Sequence, residues 1–301
     1  MTTAVPADPA LHVEAFFDAA TSTVTWLVLD PASRRCAIVD SVLDYDAKSG
    51  RTGRTGSAGA ERLLARVAEL GATVQWILET HIHADHLSAA HWIKERVGGT
   101  VGIGRLIIDV QRVFGKLFNA GPGFVPDGRQ FDHLFDDGDT FSIGDVRATA
   151  LHTPGHTPGC MTFLVPGRDR TYAFIGDTLF MPDYGSARCD FPGGDASALY
   201  RSIRRVLSLP DATVLCLCHD YAPAGREVAV FSTVAEQRAA NIHAHDGVTE
   251  AEFVALRKAR DATLAKPQLL LPAVQVNMRG GALPEPEANG VRYLKIPIDA
   301  V

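Results

Sequence analysis

The sequence predicts an α/β fold, a four-layer αβ/βα sandwich with two mixed β-sheets packed face to face and helices outside. Three observations lead there. Strand-like and helix-like segments alternate in two similar halves, parted near Gly121-Pro122-Gly123. Residues able to bind metal recur at the C-terminal ends of predicted strands, where α/β folds gather their ligands. The chain has 301 residues, 46% of them hydrophobic, with mixed charge, enough for one large domain with a buried core.

The elements follow in order. Residues 11–17 and 23–30, around Trp26 and Val28, are expected strands, with Asp30-Pro31-Ala32-Ser33 as the turn after them. Residues 36–39 make a third strand that ends at Asp40. Ser49 to Ser57 is a loop by composition, with solvated arginines. Ala60 to Leu70 is a helix, because Leu63, Leu64, Val67 and Leu70 follow helical spacing and Gly71 suits the position after its end. A strand at 73–79, a helix at 87–97, a strand at 100–103 and an amphipathic helix at 105–118 complete the first half. The second half has strands at 131–135, 140–143, 145–151, 160–165 and 171–176. Asp195 then N-caps a helix running to Leu207, and a strand follows at 213–217. Helices are expected at 232–241 and 249–264, the second opened by the capping box Thr249-x-x-Glu252. The stretch from Lys266 shows no periodicity. One domain is expected over 1–301, with a helical and extended C-terminal extension from about residue 230.

Charge and composition exclude several functions. The net charge is 29 − 35 = −6, and no long basic block offers a footprint for nucleic acid. Apolar runs such as Leu106 to Ile108 are too short to span a bilayer. The first basic residue is Arg34, so no secretory or mitochondrial leader is expected, and a cytoplasmic location is predicted. The five cysteines contain no Cys-x-x-Cys, which argues against a disulfide framework. Cys216 and Cys218 alternate along a strand and are expected on one face.

The chemistry is concentrated in His81-Ile82-His83-Ala84-Asp85-His86, after the strand 73–79. Burying imidazoles without partners costs free energy, and neighbouring imidazolium ions repel. A metal removes both problems, since neutral imidazole and ionised carboxylate are natural ligands. Three further candidates share the strand-end position: His156 in a Pro/Gly turn, Asp177 after Phe174-Ile175-Gly176, and His219. His12, His91, His133, His152, His243 and His245 lack this context and are expected on the surface or in local hydrogen bonds.

The order H-x-H-x-D-H, then His156, Asp177 and His219 resembles the metallo-β-lactamase superfamily. In its dinuclear members the resemblance places His81, His83 and His156 on one metal, Asp85, His86 and His219 on a second, and Asp177 between them. Finer text resembles the persulfide dioxygenases: Pro154 to Cys160, Gly185 to Phe191, His219-Asp220-Tyr221, Lys266-Pro267-Gln268 and Asn277-Met278-Arg279. That resemblance implies one Fe(II) per chain on the triad His81, His156 and Asp177. His83, Asp85, His86 and His219 would then orient these ligands or bind water. It also implies oxidation of glutathione persulfide by O2 to sulfite and glutathione, with Arg188 on a substrate carboxylate, Tyr221 along the pocket, and a homodimer. A structural ion pair with Asp190 is the other reading of Arg188. Ser186 replaces a cysteine of the animal enzyme, Cys189 follows the arginine, and the 40–60 and 104–135 segments are long. These departures leave the thiol carrier open. The alternative is a dinuclear zinc hydrolase of glyoxalase II type, cleaving a glutathione thioester; zinc could also substitute in the iron site.

Overall fold

The computed structural model describes residues 5–52 and 58–300. Its first sheet begins as a meander of β1 (His12–Asp18), β2 (Thr23–Asp30) and β3 (Arg35–Val39). A short strand, β4 (Val42–Leu43), follows, and then the hairpin of β5 (Tyr45–Asp46) with β6 (Arg51–Thr52). After α1 (Ala58–Glu69) comes β7 (Thr73–Leu78), parallel to β3. Then come β8 (Leu87–Ser88), α2 (Ala90–Val97), β9 (Thr100–Gly104), α3 (Ile107–Leu117) and β10 (His133–Phe135). The sheet order is β1-β2-β3-β7-β9-β10.

The second sheet runs in sequence order: β11 (Thr140–Ile143), β12 (Val146–His152), β13 (Met161–Pro166), β14 (Thr171–Phe174), β15 (Val214–Cys216) and β16 (Phe231–Thr233). Helix α4 (Ala196–Val206) makes the parallel crossover from β14 to β15. Helices α5 (Val234–Ala240), α6 (Glu250–Asp261) and α7 (Leu270–Asn277) end the chain. No helix among the described residues is long and apolar enough to cross a membrane.

Strand periodicity sorts the apolar side chains into layers. On β2, Trp26 and Val28 face the second sheet, where Phe141, Phe163 and Phe174 meet them; Leu27 and Leu29 face the helices. The Trp26 and Phe174 rings meet edge to face at 5.8 Å, and the indole N–H donates to the Leu217 carbonyl at 2.9 Å. Helices α1, α2, α3 and α7 cover the outside of the first sheet; α4 and α6 cover the second. The predicted four layers are present.

Four local expectations change. Leu87 and Ser88 are not helical: they pair with β4, and the Ser88 hydroxyl accepts from the Ala90 N–H, so α2 starts later than expected. Strand β14 stops at Phe174, and a tight turn at Gly176–Thr178 presents Asp177. Gly176 has φ +50°, and a Cβ there would lie 2.6 Å from the Thr80 hydroxyl, so only glycine fits. Residues 232 and 233, expected to open a helix, belong to β16, because Thr233 and Glu236 form a capping box that fixes the helix start. Finally, α7 occupies the stretch that lacked periodicity; Ala273 to Asn277 are all buried, so the helix has no polar face to betray it. Of the loop expected from Ser49, residues 53–57, including Arg54, lie outside the described residues.

Candidate metal centre and adjoining cavity

Strands β3 and β7 are parallel, as are β14 and β15, so each pair brings two strand ends to the same edge. Asp40 follows β3, the histidine loop follows β7, Asp177 follows β14, and His219 follows β15. All are buried except Asp85, which is partly so.

The hydrogen bonds assign the imidazole tautomers. Thr80 donates its N–H and its hydroxyl to the two Asp40 oxygens, at 2.7 and 2.9 Å. Its oxygen therefore accepts from His81 Nδ1 at 3.0 Å, which leaves a lone pair on His81 Nε2. His156 Nδ1 donates to the Arg188 carbonyl at 2.7 Å and likewise frees its Nε2. Those two Nε2 atoms lie 4.0 and 3.7 Å from Asp177 Oδ2. Burial, with the neighbouring His83 and His156, pushes the His81 pKa well below its usual value. The result is a neutral, ligand-ready ring facing a carboxylate.

A second group lies beside the first. His219 Nδ1 donates to the Ser22 carbonyl, and its Nε2 lies 3.1 Å from Asp85 Oδ2 and 3.4 Å from Asp177 Oδ1. His86 Nδ1 lies 3.5 Å from Asp85 Oδ1. Asp85 Oδ2, His86 Nε2, Asp177 Oδ1 and His219 Nε2 are buried without a hydrogen-bond partner. Buried acceptors that face one another unpaired are costly, and a cation relieves them. The donors therefore fit a metal centre, with Asp177 turned toward both groups.

His83 sits apart. Its Nε2 lies 3.0 Å from Asp40 Oδ1 and 3.2 Å from Glu79 Oε2, while its Nδ1 has no partner. Burial opposes a charge on this ring, but Asp40 and Glu79 outweigh burial and raise its pKa well above the usual value. Three buried residues missed as site residues now stand out. Asp40 holds both Thr80 and His83. Cys218 brings its sulfur close to ligand atoms of His83 and His219. Asn277 of α7 donates to the carbonyls of His83 and His86, each at 2.8 Å, and accepts from the Ser88 N–H at 2.8 Å. Only Asp40 carried a signal in the sequence, a carboxylate at a strand end like Asp177.

Arg188 forms the ion pair with Asp190. Its Nε and Nη2 bond Asp190 at 2.5 and 2.6 Å, and Nη1 donates to the Ala265 carbonyl at 2.7 Å. It still borders a cavity of about 540 Å³ that also touches His156. Tyr221 lies elsewhere: it stacks on His219 and Tyr184, with ring centres 5.7 and 4.6 Å away, and is not on the wall of that cavity. Desolvation of its hydroxyl, and the charges of Asp177 and Asp85, raise its pKa, although the residue as a whole is 41% exposed. The remaining histidines are locally engaged: His12 meets Glu14, His91 meets Glu95, and His152 and His245 meet backbone carbonyls. His133 packs against Trp76, and His243 is buried, accepting from the Ser186 N–H.

The model of the metallo-beta-lactamase superfamily matches residues 21–219. The chain belongs to this superfamily. Its His/Asp centre has the make-up typical of these metal-binding enzymes. Among metallo-beta-lactamase relatives, a protein of Burkholderia pseudomallei (strain 1710b) named a probable metallo-hydrolase is 64% identical, covering 97% of this chain and 100% of that one. Glyoxylase B2 of Dictyostelium discoideum is 44% identical over 95% of this chain and 97% of its own. The mitochondrial persulfide dioxygenase ETHE1 of Bos taurus is 31% identical over 88% of this chain and 87% of its own. The chain spans only 65% of the beta-lactamase hydrolase-like protein of Xylella fastidiosa (strain Temecula1), which is 50% identical. Among solved structures, ETHE1 from Myxococcus xanthus superposes with a TM-score of 0.69 at 29% identity, covering 90% of this chain and 100% of that one.

Proposed function

We propose that the protein is an Fe(II)-dependent persulfide dioxygenase holding one iron on His81, His156 and Asp177. The observation that carries this reading is the convergence of two Nε2 lone pairs on Asp177 Oδ2, while the nearby His83 turns its Nε2 to Asp40 and Glu79. Two histidines and one carboxylate on a single face are the donor set of non-haem iron oxygenases. The similarity to ETHE1 proteins supports it. Iron, when bound, supplies O2 activation and open positions for substrate. The chain's own groups hold the ligand geometry: Thr80 and Asp40 fix the His81 tautomer, and the Arg188 carbonyl fixes that of His156.

The overall reaction is RSSH + O2 + H2O → RSH + sulfite + 2 H⁺. The sulfur–sulfur bond breaks, the sulfane sulfur loses four electrons, and O2 accepts them. Glutathione persulfide is the reference substrate. The absence of disulfides among the five cysteines supports a cytoplasmic setting.

One observation favours a second reading. The unpaired donors of Asp85, His86 and His219 suit a second cation, as in a dinuclear zinc hydrolase of glyoxalase II type, and the likeness to Glyoxylase B2 agrees. Purification without O2, iron and zinc analysis, and O2 uptake with glutathione persulfide separate the two. One iron per chain with O2 uptake is expected. Two zinc ions, thioester hydrolysis and no O2 uptake would overturn the dioxygenase.

A further inference from the structure

The cavity beside His156 constrains which thiol carries the sulfane sulfur. At about 540 Å³ it falls in the range that encloses small ligands, about 300–1,000 Å³. Its walls are built mainly by Val113, Phe114 and Leu117 of α3 with Phe191 and Leu270. The one guanidinium on the wall, Arg188, has three of its five N–H groups committed to Asp190 or to the Ala265 carbonyl. Lys266 leans toward the same carboxylate at 3.8 Å. Lys116 borders the cavity too, and its ammonium has no partner among the described residues.

Glutathione suits this chamber poorly. It carries two carboxylates, an ammonium and two peptide groups; Lys116, Lys266 and Asp190 offer partners for its charges, but the apolar wall leaves its peptide groups unpaired at a cost. We infer that the preferred carrier is an amphipathic thiol, with an apolar chain beside the sulfur and a single carboxylate at the far end that meets Lys116. The sulfur chemistry rests on the dioxygenase reading and keeps its balance: the carrier leaves as the free thiol, and sulfite takes both atoms of O2 and one oxygen from water.

The test uses the iron-loaded chain and three persulfides, those of mercaptohexanoate, hexanethiol and glutathione, with O2 uptake as the readout. The expected kcat/KM for the mercaptohexanoate persulfide is at least about tenfold above that for glutathione persulfide, since unpaired polar groups discriminate at least this strongly. Lys116→Met should raise KM severalfold for the mercaptohexanoate persulfide, spare its kcat, and leave KM for the hexanethiol persulfide unchanged. A purely structural role for Lys116 would move both substrates together. Glutathione persulfide used as well or better would overturn the inference. Calorimetry with the unreacted thiols provides a readout independent of turnover. If no persulfide is consumed, the dioxygenase reading fails, and calorimetry still decides the carrier: tighter mercaptohexanoate supports it, and tighter glutathione overturns it.

Discussion

Asn277 offers the sharpest test of how the metal loop is held. It lies 191 residues beyond His86 in the chain, yet its amide closes three buried hydrogen bonds with that loop. Asn277→Leu keeps the approximate volume and strands the carbonyls of His83 and His86 and the N–H of Ser88. Each of the three buried groups left unpaired costs roughly 1–3 kcal/mol, so the loop loses about 3–9 kcal/mol of support, with relaxation placing the result toward the lower end. That is a large share of a typical folding free energy of about 5–15 kcal/mol. Asn277→Asp is the harsher companion: it keeps an acceptor for Ser88, loses both donors and sets a buried carboxylate oxygen against two carbonyl oxygens. The assay is metal affinity by chelator competition, at a temperature where circular dichroism shows each variant folded. Removing groups that orient ligands typically weakens metal binding about 10–100-fold, and that range is expected for Asn277→Asp. A folded variant with wild-type affinity would refute the reasoning and assign the loop's geometry to Glu79 and Ser88 instead.

Asp177→Ala removes the carboxylate facing both donor groups, so iron and zinc retained after dialysis should both fall close to zero; one iron per chain would show that Asp177 is dispensable. Gly176→Ala adds left-handed backbone strain and a clash with Thr80, together about 2–4 kcal/mol, read as a lower urea midpoint with an unchanged slope. His243 has its pKa lowered to about 4 by burial and by the charges of Arg257 and Arg260. The unfolded chain takes up that proton near pH 6.5 and the folded chain does not, so stability should fall as pH drops from about 6.5 toward 4. His243→Gln still offers Ser186 an acceptor and should flatten this part of the pH profile; an unchanged slope would remove His243 as its source.

The sequence carried those features whose signal is local. Trp26, Val28 and their apolar neighbours marked a strand, the caps at Asp195 and Thr249 located two helix starts, and the histidine cluster pointed to a metal. What stayed hidden depends on partners far away in the chain. Asn277 looks like any polar residue until α7 is laid against the loop. Helix α7 escaped because burial all round erases the polar stripe that periodicity needs. Leu87 and Ser88 look helical, but pairing with Val42 and Leu43 keeps them extended. Arg188 matched a family position and its pairing with Asp190 was already one reading of the sequence; only the fold adds the Ala265 carbonyl, 77 residues away.

The donors of the metal centre come from both sheets. His81 and Asp85 follow a strand of the first, whereas His156, Asp177 and His219 follow strands of the second. A bound ion is therefore a cross-link between the N-terminal and C-terminal halves, made without a disulfide. The unfolded chain cannot assemble these donors, so binding free energy becomes folding free energy and grows with free metal concentration. A bound metal should therefore raise the stability of the folded chain, and a chelator should lower it.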